Sequence, residues 1–168
     1  MTITGINALD RAGFTAALGG IFEHSPWVAD EAWRHRPFAD VDALHGAMLA
    51  AVGAAGEPRQ LALLRSHPEL AGKAMVRNEL TADSTQEQAG AGLTQCSPEE
   101  FARLTELNRR YQAHFGFPFI LAVKGYDRAG ILAEFARRVE NDRATEFREA
   151  LAQVARITRM RLHALLPD

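Results

Sequence analysis

A single cysteine, Cys96, stands among 168 residues, so an internal disulfide is excluded and a reducing compartment suits the chain. Also lacking is any window near the roughly 20 uninterrupted apolar residues that a membrane span needs. The 19 Lys and Arg are scattered among 21 Asp and Glu, for a formal net charge of −2, and no basic stripe offers to neutralise a phosphate backbone. Nucleic acid is therefore not an expected partner. The opening residues show no basic start before an apolar run, because Asp10 and Arg11 interrupt it, and Leu165-Leu166-Pro167-Asp168 lacks a Ser-Lys-Leu type of peroxisomal address. A soluble, cytoplasmic protein is the expectation. Glycine-rich phosphate loops and dinucleotide fingerprints are missing. His24, His35, His45, His114 and His163 form no His-x-x-x-His or Glu-x-x-His pair, so neither a metal nor a cofactor is expected.

What the chain does have is apolar content, 47%, enough to fill one core, and one domain over residues 1–168 is expected. Alanine is abundant, β-branched residues are sparse, and apolar residues recur at helical spacing, which predicts an all-α fold of about eight helices. The clearest begins at Ser97-Pro98-Glu99-Glu100, where Ser97 and Glu100 suit a capping box and Pro98 the first helical position. It runs through Phe101, Leu104, Leu107 and Tyr111 to about Phe115, where Gly116 and Pro118 end it. A second long helix is predicted over 145–165, with Phe147, Leu151, Val154, Thr158, Arg161 and Leu165 along one face. Shorter ones are predicted near 7–18, 26–35, 40–54, 58–66, 85–92 and 128–139. The segment 117–123 is apolar throughout and too short for a helix after Pro118, so it is expected to be extended and buried.

Three blocks stand out from this helical background. Ser66-His67-Pro68-Glu69-Leu70-Ala71-Gly72-Lys73 puts a histidine, a carboxylate and an ammonium into a turn after an apolar helix. Ser84-Thr85-Gln86-Glu87-Gln88-Ala89-Gly90-Ala91-Gly92-Leu93 follows, then Phe115-Gly116-Phe117-Pro118-Phe119-Ile120-Leu121-Ala122-Val123-Lys124-Gly125. In this order they resemble the 2-oxo-4-hydroxy-4-carboxy-5-ureidoimidazoline (OHCU) decarboxylases, which make (S)-allantoin in the last step of urate breakdown. The resemblance runs over nearly the whole chain and implies a cofactor-independent carboxy-lyase that acts as a homodimer. It also implies His67 as proton donor, with Glu87 and Arg161 as its catalytic companions. Pro68, Ser84, Thr85, Gln86, Glu87, Gln88 and the run Phe119, Ile120, Leu121, Ala122, Val123 would then bind substrate.

Each residue also has a plainer reading. His67 could sit as a cation at the end of the preceding helix. Ser84 and Glu87 have the spacing of a capping box, and on spacing alone the cap is favoured. Arg161 could snorkel to water or pair with a surface acid, with Arg159 as the alternative cation if the helix is rotated. Phe119 to Val123 reads by pattern as core, and Glu69 with Lys73 as a solvated pair. Cys96, close to the start of the helix at Ser97, is either a thiol of lowered pKa or an inert packing residue. Trp27 and Trp33 look exposed and would suit an interface. Two other functions stay open: a different cofactor-free lyase or hydrolase acting on a ureido or imidazolone compound, and a helical binding module without catalysis.

Overall fold

The computed structural model describes residues 1–72 and 79–167, and Lys73 of the first block lies outside them. Among the described residues the chain is helical, with nine α-helices, two short 3-10 turns and no strand. The all-α expectation holds. The chain divides into two compact units, residues 1–66 with 154–168 and residues 67–153.

In the first unit, the helix expected over 7–18 is two helices, α1 (Ile3–Ala8) and α2 (Arg11–Leu18). Asp10 makes the break: its carboxylate accepts the Gly13 amide at 2.8 Å and so starts a new helix where periodicity alone would continue the old one. Helices α3 (Trp27–Ala32), α4 (Val41–Ala54) and α5 (Glu57–Arg65) follow as expected. Ile6, Phe14, Leu44, Met48 and Leu64 are fully buried here. Burial of each such side chain stabilises by about 1.5–3 kcal/mol. Trp27 and Trp33 are half-buried rather than exposed, lying beneath the guanidinium groups of Arg59 and Arg36 at 4.0 and 4.2 Å.

The second unit holds α6 (Ala82–Gly90), α7 (Pro98–Phe115) and α8 (Arg128–Arg138). The last helix, α9 (Arg143–Leu165), contributes to both units, the division falling between Gln153 and Val154. Ser97 and Glu100 form the capping box in full, and Gly116 ends α7 at φ 77°, a conformation glycine adopts without a Cβ clash. Phe101 departs from its expected place, being exposed; the buried row of α7 starts one turn later, at Leu104. Tyr111 anchors an aromatic cluster, with its ring 4.6 Å from Phe115, 5.5 Å from Phe119 and 5.8 Å from Phe135. Residues 118–123 are neither helix nor strand, and Phe117 to Leu121 with Val123 are buried, as the apolar run predicts.

Candidate active site

His67 opens the second unit and is 8% exposed. The cap of α5 is Ser66, the residue before His67. The Ser66 amide reaches the Ala62 carbonyl at 3.0 Å and its hydroxyl the Leu63 carbonyl at 2.6 Å. After His67 the chain turns tightly, with Leu70 and Ala71 buried and Ala71 at φ 51°, in the left-handed region. Side-chain amides hold this turn. Gln88 accepts the Ala71 N–H at 3.0 Å and donates to the Glu69 carbonyl at 3.3 Å, while Asn108 donates to the Leu70 carbonyl at 3.0 Å.

The second block sits on α6, which starts three residues earlier than expected. Thr81 is the N-cap, its hydroxyl accepting the Ser84 amide at 3.2 Å, so Ser84 lies inside the first turn and the Ser84–Glu87 capping box does not form. That removes the structural role the spacing had favoured for Glu87. The helical period then sorts the block. Ser84 and Gln88, four residues apart, are buried with Glu87 half-buried beside them, whereas Thr85 and Gln86 are exposed. Five consecutive helical residues cannot line one cleft with their side chains.

The third block is tied down from within its own unit. Arg138, with no exposure, donates from Nη1 to the Ile120 carbonyl at 2.7 Å and from Nε to Glu146 at 2.7 Å. Glu146 also accepts the Tyr111 hydroxyl at 2.5 Å and the Asn141 amide at 3.1 Å. Burial first, then this bond to Glu146, pushes the Tyr111 hydroxyl far above the ordinary phenol range. The Ala122 N–H donates to Gln153 at 3.0 Å, and Phe119 stacks on Phe135 at 3.9 Å under the Arg138 guanidinium. The Ile120 carbonyl and Ala122 amide, which belong to the run expected to bind substrate, are thus engaged inside the protein.

Arg161 belongs to the first unit and is 7% exposed. It donates from Nη2 to Glu23 at 2.9 Å and from Nη1 to the Ile21 carbonyl at 3.1 Å. Arg159 points elsewhere: it forms a two-pronged surface pair with Asp42 at 3.0 and 3.1 Å. That pair, with His163 as a second partner, lowers the Asp42 carboxyl to about 2. Arg161 is therefore the buried cation of α9. Cys96 departs from the reactive reading, since burial and the nearby Glu100 carboxylate raise its thiol and keep it protonated. Among the described residues no group of three or more His, Cys, Asp or Glu is arranged to hold a metal ion. No described helix is long and apolar enough to cross a membrane.

The model of a family described as OHCU decarboxylase matches residues 7–163. The chain belongs to that family. Among its relatives is a 2-oxo-4-hydroxy-4-carboxy-5-ureidoimidazoline decarboxylase of Haloferax volcanii, 44% identical over 96% of this chain and 94% of its own. A putative enzyme of that name from Homo sapiens is 41% identical over 99% of this chain and 96% of its own. A uric acid degradation bifunctional protein of Bacillus subtilis is 39% identical over 99% of this chain and 33% of its own. Of solved structures, an (S)-allantoin synthase superposes with TM-score 0.77 at 30% identity, over 99% of this chain and 54% of that one.

For an OHCU decarboxylase family member, Glu23 is the site candidate that sequence reasoning passed over. It is 1% exposed and holds Arg161, and its own carbonyl accepts the hydroxyls of Ser25 and Ser66, both at 2.8 Å. The signal was a lone carboxylate after Ile21-Phe22, just before the Ser25-Pro26 turn. Asn108 was missed for a similar reason, being a polar residue in the apolar row of α7.

Proposed function

We propose that this chain decarboxylates 2-oxo-4-hydroxy-4-carboxy-5-ureidoimidazoline to (S)-allantoin, the last step from urate to allantoin, without a cofactor and with His67 as proton donor. The observation that carries the reading is the family match over residues 7–163, joined to a buried histidine held in a braced turn. Decarboxylation leaves an electron pair that many enzymes pass to a bound cofactor. In this substrate the carboxylated ring carbon adjoins a C=N bond, so the C–C pair enters the ring as CO2 departs and the enamine-like intermediate then takes one proton at carbon.

The protein's tasks are to orient, to desolvate and to deliver that proton. His67 delivers it to one face, which gives a single enantiomer. Glu87, relieved of a capping role, holds or recharges the imidazole. Arg161, aligned by Glu23 and the Ile21 carbonyl, binds the anionic or ureido part through its planar fork of donors. The substrate-binding set keeps Pro68, Ser84 and Glu87, together with the apolar segment 119–123, which strips water from the carboxylate and weakens its hold on CO2. Thr85 and Gln86, being exposed, stay in the set as groups an entering substrate can reach. The reading extends to one OHCU decarboxylase-like domain over residues 1–168 and to a cytoplasmic homodimer with Trp27 and Trp33 at its interface, which light scattering of the purified chain and of a Trp27→Ala variant tests.

The deciding experiment makes the substrate in situ from urate with urate oxidase and hydroxyisourate hydrolase and follows circular dichroism. Expected is rapid formation of optically active (S)-allantoin, with a loss of at least about a hundredfold in kcat/KM for His67→Ala. Decay no faster than background, with racemic product, would overturn the substrate and direct the search to another ureido or imidazolone compound. A His67→Ala variant with wild-type kcat/KM would remove His67 from the mechanism.

A further inference from the structure

Resting on the decarboxylase reading, we propose that Asn108 and Gln88 are positioning residues for His67: two buried amides, from α7 and α6, that clamp the main chain of the turn on which the imidazole is carried. Asn108 is 5% exposed and lies next to Leu107 on a helix face otherwise apolar. Leucine would suit that place better if packing were the only demand. The amide makes one bond, from Nδ2 to the Leu70 carbonyl at 3.0 Å, and its Oδ1 is buried with no hydrogen-bond partner among the described residues. A polar side chain kept in an apolar row of the core is kept for the bond it makes there, here to the turn.

Gln88 completes the clamp. It is 3% exposed, and its amide engages Ala71 N–H through Oε1 and the Glu69 carbonyl through Nε2. Three successive residues, 69 to 71, each have a main-chain group taken by one of these two side chains. The turn needs such support. Ala71 is a non-glycine residue at φ 51°, and at Gly72 a Cβ would stand 2.8 Å from the Glu69 Cβ, so the chain doubles back on itself. Pro68 fixes φ at the residue after His67. From Pro68 to Ala71 little freedom is left, and the His67 backbone inherits that restraint. A proton donor displaced by about an ångström loses much of its rate, which is the reason for bracing the turn from two helices. Gln88 thereby acts through the turn.

The test compares Asn108→Leu and Gln88→Met, which keep volume and remove the bonds, with Asn108→Asp and Gln88→Glu, which keep shape and change the donor. If an apolar variant fails to fold, by far-UV circular dichroism and thermal midpoint, its carboxylate counterpart carries the comparison. Expected for folded variants is a fall in kcat of roughly tenfold or more with KM within about twofold. Gln88→Glu, which retains the acceptor for Ala71, should lose less than Gln88→Met. In a His67→Ala background the same substitutions should cause no further loss, because they act through that side chain. A folded variant with wild-type kcat, or losses that persist without His67, would overturn the proposal. Titration of the His67 ring by NMR keeps the two readings separable. If wild-type protein fails to turn over the ureidoimidazoline, the decarboxylase reading alone falls, and an unmoved His67 titration in the variants then overturns the clamp as well.

Discussion

His45 shows how one side chain sets a pH dependence. It is 6% exposed, and its Nε2 meets the Thr158 hydroxyl at 2.9 Å. That hydroxyl already donates to the Val154 carbonyl at 2.8 Å, so it accepts from the ring and the imidazole is the neutral Nε2–H form. Burial first, then the nearby Arg159, lowers the His45 pKa below 6.5. The unfolded chain then binds a proton that folded His45 refuses, so stability is full above 6.5 and is lost as pH falls toward the folded value. Urea midpoints measured across the acid range should fall more steeply for wild type than for His45→Gln. Equal slopes would remove His45 as the source. Glu23 and Arg161 belong to the same scale: each is identified as the other's partner only by the fold.

At the scale of the element, capping decided more than periodicity did. The capping box at Ser97 was legible because all its partners lie within four residues. The same pattern at Ser84 misled, because Thr81 offers a hydroxyl three residues earlier and the helix starts there. Two substitutions separate these roles. Thr81→Ala should cost about 1 kcal/mol in chemical denaturation, as should Ser97→Ala. Glu87→Gln, by contrast, keeps the shape of the side chain and should leave stability within about 0.5 kcal/mol while turnover falls, and wild-type turnover in that variant would remove Glu87 from the mechanism. Asp10 acts likewise, dividing one predicted helix into α1 and α2 by supplying a cap in mid-run.

On the scale of the whole molecule, polar groups far apart in sequence decide which segments are held. Tyr111, Arg138, Asn141 and Glu146 converge from three helices and the connection before α9, and Arg138 reaches back to Ile120. Removing either charged member, Arg138 or Glu146, leaves the other's buried charge uncompensated. Arg138→Met should therefore lose about 3–5 kcal/mol, and the double variant with Glu146→Leu should recover part of it, since an apolar pair can replace a buried ion pair. Denaturation midpoints for both variants check this; a double variant weaker than Arg138→Met would mean the site cannot repack.

The sequence by itself determined the helical class, most helix boundaries, the buried run around 117–123 and the family, because caps, periodic spacing and short motif blocks are local in the chain. Only the tertiary structure decided that Arg161 rather than Arg159 is the buried cation, that Glu23 holds it, and that Gln88 and Asn108 grip the turn after His67. The reason is physical. A buried charge or amide is tolerated only where its partner is, and those partners lie 17 residues away for Gln88 and Ala71, 38 for Asn108 and Leu70, and 138 for Arg161 and Glu23. No spacing rule reaches that far, so chain folding alone brings them within bonding distance.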